Sequence, residues 1–246
     1  MFVILNAVKN PRISSLLVLS LALPSLLASA SFAQDAPAAP TSAHPHVTFA
    51  FERKGLPVPR YQLTVNDDGT GVYQGEAVVD AVGGYATSAD RPAQPFTNHV
   101  TISQPTVTRI FKLSEQLNHF NKTCASKAKN IADTGTKTLT YAGPDGAGSC
   151  TYNYTEIKEV QSLTEIFQGI AETMDQGRRL EQLHRYDRLG LDEAMTFFSQ
   201  EVTEGRALEV GTIATCLHSI ASDADVMARV RARATTLLAL IPTDTH

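Results

Sequence analysis

Three cysteines, seven histidines and one pair of adjacent aspartates are the residues from which this chain could build a reactive or ligand-holding centre. Asp67 and Asp68, in Asn66-Asp67-Asp68-Gly69, could serve as oxygen ligands of a calcium loop. An EF-hand loop needs further oxygen ligands at regular spacing and a closing bidentate Glu. Neither follows, so the pair reads as a polar turn. His44-Pro45-His46 offers two imidazoles, whereas structural zinc takes four ligands, and the pair reads as part of a solvated leader. His119, with Cys124 and Asp133 nearby in sequence, is the one grouping that suggests a Cys–His nucleophile. The competing reading joins Cys124 to Cys150 in a disulfide, which would remove that nucleophile. The segment between them is polar and Gly-rich, where a staple is useful, and closing it contributes about 3.5 kcal/mol in the chain-entropy picture. The disulfide is the preferred reading. Cys216, inside Ile213-Ala214-Thr215-Cys216-Leu217, reads as a small buried hydrophobe, and no C-x-x-C redox motif stands in the chain.

Ser149, in Gly146-Ala147-Gly148-Ser149-Cys150, follows small residues but lies in a hairpin, not in the strand-to-helix elbow that a hydrolase serine needs. No P-loop, H-E-x-x-H or G-x-G-x-x-G is present. His99, His119, His184 and His218 are scattered singly. Asn121-Lys122-Thr123 and Asn153-Tyr154-Thr155 match the glycosylation acceptor pattern and are read as silent. The sequence therefore assigns no catalytic residue, no cofactor site and no metal site.

The elements that would position any site are clearer. Tyr61, Leu63 and Val65 alternate with Gln62, Thr64 and Asn66, which puts one apolar and one wet face on a strand. Asp68-Gly69 between two such runs is a strong hairpin signal, and the return strand carries Val72, Tyr73, Val78 and Val79 to about Asp80. Val47, Phe49 and Phe51 mark an earlier strand and 99–103 a later one. Residues 81–97, with Gly83, Gly84, Pro92 and Pro95, read as a long loop, a candidate lid or binding loop. Val107, Ile110, Phe111, Leu117 and Phe120 predict an amphipathic helix over 106–120. Thr136–Tyr141 and Ser149–Thr155 predict a second hairpin. Ile157, Val160, Leu163, Ile166, Phe167, Ile170 and Met174 predict the longest helix, at 157–176, lying across the sheet. After Gly177 the character changes to helices: one ending near Gly190, then 193–204 with Asp192 as its cap, 207–221 and 224–240. Arg229, Arg231 and Arg233 are expected to face solvent. The fold class is α+β: an antiparallel sheet of hairpins packed by two amphipathic helices, followed by a C-terminal helical bundle.

The run Gly55-x-Pro57-x-x-x-Tyr61-x-Leu63-x-Val65-x-x-Asp68-Gly69-Thr70-x-x-Tyr73-x-Gly75 resembles the opening hairpin of a family of small exported bacterial domains of unknown function. These carry a Tyr-bearing strand, a D-G-T turn and a Y-x-G return, then a helix and a second hairpin. The order of elements here is similar through about Met174. Members often carry a cysteine pair just before the Tyr strand, which Gly55–Arg60 lacks. The resemblance implies an exported domain and no particular activity or ligand.

Export is also the reading of the N-terminus itself. Lys9 and Arg12 precede the apolar run Ile13–Leu27, and small residues end at Ala30 and Ala33, so residues 1–33 read as a signal peptide cleaved after Ala33 or, alternatively, Ala30. The apolar run is short for a membrane span. Removing residues 1–33 takes away two cations and no acid, leaving 19 basic against 25 acidic side chains and a formal charge of −6. That balance argues against nucleic acid as a partner. Residues 34–46 read as a disordered Ala/Pro-rich leader, 47–176 as the α+β domain and 177–246 as the helical region. The expectation is a non-enzymatic periplasmic or secreted binding module, recognising an envelope or extracellular protein or a small ligand. An envelope hydrolase with a spatially assembled site is the alternative. The 81–97 loop and the cleft between the sheet and the helical tail after Gly177 are where to look.

Overall fold

A computed structural model describes residues 44–78 and 93–242. The expected signal peptide, most of the leader and most of the 81–97 loop lie outside the described residues. Six strands form one antiparallel sheet: β1 (His46–Glu52), β2 (Arg60–Asn66), β3 (Thr70–Val78), β4 (Ala93–Thr101), β5 (Thr136–Gly143) and β6 (Gly146–Tyr152), in the order β4-β3-β2-β1-β5-β6. Val47, Phe49, Phe51, Tyr61, Leu63, Val65, Leu139 and Tyr141 alternate into the core, as a period of two requires. The opposite face is polar and partly exposed, with Thr48, Gln62, Thr64, Thr138 and Thr140.

Two amphipathic helices, α1 (Gln104–Gln116) and α2 (Lys158–Tyr186), pack the apolar face. Three more, α3 (Gly190–Thr203), α4 (Ala214–Ser222) and α5 (Ala228–Leu238), make the C-terminal bundle, burying Leu191, Met195, Phe198, Leu217, Ile220, Val230 and Leu237. One apolar cluster runs from Val47 to Leu237. Among the described residues no helix is long and apolar enough to cross a membrane.

The central hairpin forms where its turn residues put it. Gly69 has φ +86°, and Asp68 Oδ1 accepts the Thr70 N–H at 2.9 Å and the Thr70 hydroxyl at 2.6 Å. Asp68 is therefore engaged by the turn, and this bonding holds its carboxyl below the usual range. Cys124 and Cys150 are bonded, with sulfurs 2.00 Å apart, and Cys216 is buried and free, its thiol pushed up to about 12 by burial. The α1 N-terminus has no side-chain cap of its own. Glu209, from the segment between α3 and α4, accepts the Ser103 N–H at 2.9 Å, the Ser103 hydroxyl at 2.7 Å and the Thr106 hydroxyl at 2.5 Å. A carboxylate at a helix N-terminus suits both the orphan donors and the dipole.

Several elements differ from the sequence expectation, and Asp192, expected as the cap of 193–204, lies inside the first turn of α3, which begins at Gly190. The strand placed at 99–103 begins at Ala93, so part of the expected loop is β4; Pro95 is tolerated because β4 is an edge strand that need not donate outward. The helix expected to end at 176 continues to Tyr186. Arg229 and Arg233 do not simply face solvent. They reach Asp192 in the first turn of α3, at 2.9 and 2.7 Å, and tie α5 to α3.

Candidate functional site

The sheet face under α2 carries an aromatic row. Phe51, Tyr61, Tyr73 and Phe96, one from each of β1 to β4, follow one another with ring centroids 5.2, 5.6 and 5.1 Å apart. Gly75 stands opposite Tyr61 in the ladder, and a Cβ there would lie 2.9 Å from the Tyr61 Cβ. The Y-x-G return thus keeps room for the close approach of the Arg60–Tyr61 backbone. Beside the row, Phe49 stacks on Phe167 of α2 at 5.4 Å, which seats the helix on the sheet.

Where α2 passes the end of the sheet a cleft of about 970 Å³ remains, within the size range of small-molecule sites. Its two walls differ in chemistry. The sheet side is apolar: Phe51, Tyr61, Ala77 and Val78, with Leu56, Pro57 and Val58 from the β1–β2 connection. The helix side is polar: Glu165, Gln168, Glu172, Asp175, Arg179 and Gln182 recur every three or four residues and so line one stripe of α2. Phe197 and Glu201 of α3, and Arg206 just beyond it, complete the cleft.

Two of the acids are already bonded. The Tyr73 hydroxyl donates to Asp175 Oδ1 at 2.8 Å and Arg178 Nη2 donates to the same oxygen at 2.6 Å, while the Arg178 guanidinium lies 4.0 Å over the Phe96 ring. Burial pushes the Asp175 carboxyl up, against the opposing pull of Arg178 and Tyr73. Burial first, and the Asp175 charge second, push the Tyr73 and Tyr61 phenols far above their usual range, so both stay protonated donors. Glu201 takes a two-pronged contact from Arg206, Nε to Oε2 at 2.7 Å and Nη2 to Oε1 at 2.6 Å. This pairing holds the Glu201 carboxyl low.

Glu172 differs. It accepts one amide bond, from Gln176 Nε2 to its Oε1 at 2.9 Å, and burial raises its pKa against the pull of that bond and of the Arg206 charge, with the charges of Asp175 and Glu201 adding to the rise. Gln176 is 8 % exposed, and its Oε1 is buried with no hydrogen-bond partner. The cleft lining holds no histidine, cysteine, serine or threonine among the described residues.

The residues singled out from sequence lie elsewhere. Cys124 is oxidised with Cys150, so the Cys–His grouping is absent. Asp133 accepts the Gly135 N–H. His119, with φ +51°, stacks on Tyr141 at 4.0 Å and points Nε2 at Asp145, 3.4 Å away. Tyr141 also donates to Asp145, which is thereby held low. His184 meets Asp223 at 2.8 Å and joins the end of α2 to the α4–α5 turn. His44 faces Asp67 at 3.3 Å. Ser149 bonds Thr140 and the Leu139 carbonyl across the second hairpin. Among the described residues no group of three His, Cys, Asp or Glu could hold a metal ion.

The sequence reading missed Tyr73, Glu172, Asp175 and Gln176 as site residues. The signal that could have found them is the second, polar stripe on the longest helix, read with the Tyr-bearing hairpin that faces it. Searches against protein-family models and curated proteins find no match to this chain.

Proposed function

We propose that the chain is an exported periplasmic or secreted binding module whose ligand occupies the cleft between the sheet and α2. One observation carries the reading: a cleft of small-molecule size with an apolar wall facing a polar helical stripe. An apolar wall supplies most of the affinity of such sites, and a few fixed polar groups orient the ligand. Export is part of the proposal. It is supported by the signal-like residues 1–33, by the Cys124–Cys150 bond, which oxidising compartments favour, and by the hairpin resemblance.

Saturable binding of the uncharged dye Nile red tests this reading. Gln168 lines the cleft on α2, and Gln168→Trp fills the space with the only indole in the chain. The expected outcome is one-to-one binding by the native chain and at least a tenfold loss in the variant, on the order of 1.4 kcal/mol. Unchanged binding in a folded Gln168→Trp chain would place the dye elsewhere and end the proposal.

A second reading, an envelope hydrolase, is favoured by one feature: the raised pKa of Glu172, which suits a general acid. Its weakness is that Asp175, the acid nearest to Glu172 on the helix, is already bonded to Tyr73 and Arg178. Turnover of chromogenic glycosides or esters that disappears in Glu172→Gln would make the hydrolase the better account.

A further inference from the structure

We infer that the cleft takes an extended polypeptide segment with apolar side chains, which leaves it over the α2–α3 corner; this rests on the cleft being the binding site. The first observation is its shape. The lining runs along α2 from Glu165 to Leu183, and at about 1.5 Å per residue that is about 27 Å. Spread over that length, 970 Å³ leaves a mean cross-section of about 36 Å². One extended chain, packed at strand and sheet spacings, takes roughly 48 Å². The space is therefore a trough about one chain wide and not a round pocket. At roughly 3.3 Å per residue, about eight extended residues run its length.

The second, independent observation is where the exposed apolar side chains stand. Among the described residues five large apolar side chains are exposed, and three of them, Tyr186, Leu189 and Phe197, belong to α2, α3 or the turn that joins them. Phe197 lines the trough and is 40 % exposed. Tyr186 follows the lining residues Gln182 and Leu183 by four and three positions, so it continues their stripe of α2. Leu189 precedes Phe197 by eight positions, about two turns back on the same side of α3. Tyr186 and Leu189 are 81 % and 84 % exposed, the highest of the five. They carry the apolar track past the end of the trough. A compact molecule held in the cleft does not reach them. A chain leaving the trough does, and it covers apolar area that water now contacts.

The polar wall suits a peptide backbone. Gln168 and Gln182 lie fourteen positions apart on the lining stripe of α2, about 21 Å along its axis. Each amide carries donors and an acceptor, and every peptide unit of a bound chain offers the complement of both. An extended chain turns alternate side chains to opposite sides, so one set meets Phe51, Leu56 and Val58 while its peptide groups meet the amides. An acyl chain would displace water from those amides and give nothing back, which is costly.

Competition against bound Nile red tests the inference, with capped peptides of alternating leucine and serine, about four, eight and twelve residues long. The longest should displace the dye at concentrations at least about tenfold below the shortest, with most of the gain reached by the middle length. N-methylating alternate residues of the longest peptide, in either register, should remove most of that gain. The double variant Tyr186→Ser, Leu189→Ser changes only exposed side chains and so keeps the fold. It should weaken the longest peptide by about threefold or more and leave Nile red and the shortest peptide unchanged. Equal competition by short and long peptides would overturn the inference, as would a longest peptide indifferent to the double variant. N-methylated peptides competing as well as their parent would also overturn it, and would mark the trough as a site for apolar chains without peptide groups. Saturable dye binding that no peptide displaces would overturn the inference and leave the cleft reading standing. Failure of the dye itself to bind saturably is seen before any peptide is added, and it counts against the cleft reading.

Discussion

Asp192, at the start of α3, receives Arg229 Nη2 at 2.9 Å and Arg233 Nη1 at 2.7 Å, and those hydrogen bonds hold its carboxyl below the usual range. Asp223 receives His184 at 2.8 Å and Arg188 at 3.2 Å and is held low in the same way. Glu172, midway along α2, receives one amide, and burial holds it high. The helical bundle therefore uses carboxylates as latches between elements, each paired with an arginine. The cleft keeps a carboxylate, Glu172, that no cation contacts among the described residues. A fold tolerates such a group at some cost, because an acceptor without a donor in a half-buried place is destabilising. The contrast teaches where to look in a chain without catalytic motifs: not for the strongest ion pairs, but for the polar group left over.

Asp175 tests that distinction most severely, because it lies in the cleft yet is bonded like a latch. Asp175→Asn leaves Arg178 without its counter-charge and weakens the Tyr73 bond. The expected loss is about 2 kcal/mol, below the full cost of breaking a buried pair because both side chains keep some exposure. Urea unfolding measures it. An Asp175→Asn chain as stable as the native one would put Asp175 with Glu172, as a site group rather than a structural one. Glu209 should behave as a pure latch. Glu209→Ala removes the acceptor for Ser103 and Thr106 at the head of α1 and should cost about 1 kcal/mol. The same variant should leave dye binding unchanged, and a loss of binding would break the separation between the two classes.

How far the sequence could be read follows the same division. The Tyr61–Gly75 hairpin was legible because its signals are local: alternation and an Asp-Gly turn. The Cys124–Cys150 pairing and the buried Cys216 were legible from the surroundings of each residue. The full length of α2 was not. Gly177 reads locally as a stop, yet it sits inside the helix because Ile213 packs against it, and tertiary packing overrides its low propensity. The cleft was the least legible. Glu165, Gln168, Glu172 and Gln182 have the spacing of any solvated helix face. What makes them a wall is the apolar β1–β2 connection opposite, around a hundred residues earlier in the chain. The sequence reading pointed to a cleft between the sheet and the helical tail, whereas much of the polar wall comes from 165–176, the stretch expected to close the core.

The smallest effect, and the one that separates the two classes most cleanly, is the pH dependence of stability. Burial raises the folded pKa of Glu172 above its unfolded value. In the window between them the native chain holds more proton than the unfolded one, so stability falls as pH rises. The contribution is complete below the ordinary Glu range and is lost as pH climbs through the raised folded value. For Asp192, Asp223 and Glu201 the sign is opposite: their folded pKa values are lowered, so their contribution is present above the ordinary carboxylate range and lost as pH falls through the lowered values. Glu172→Gln should therefore gain on the native chain as pH rises from the ordinary Glu range toward neutrality, by on the order of 1 kcal/mol at most. Asp192→Asn should do the reverse, falling behind the native chain as pH rises out of the acid range. Urea midpoints across a pH series read both slopes. A Glu172→Gln advantage that shrinks with rising pH would mean the carboxylate is matched after all, and the contrast between latch and site would collapse at the residue on which it depends.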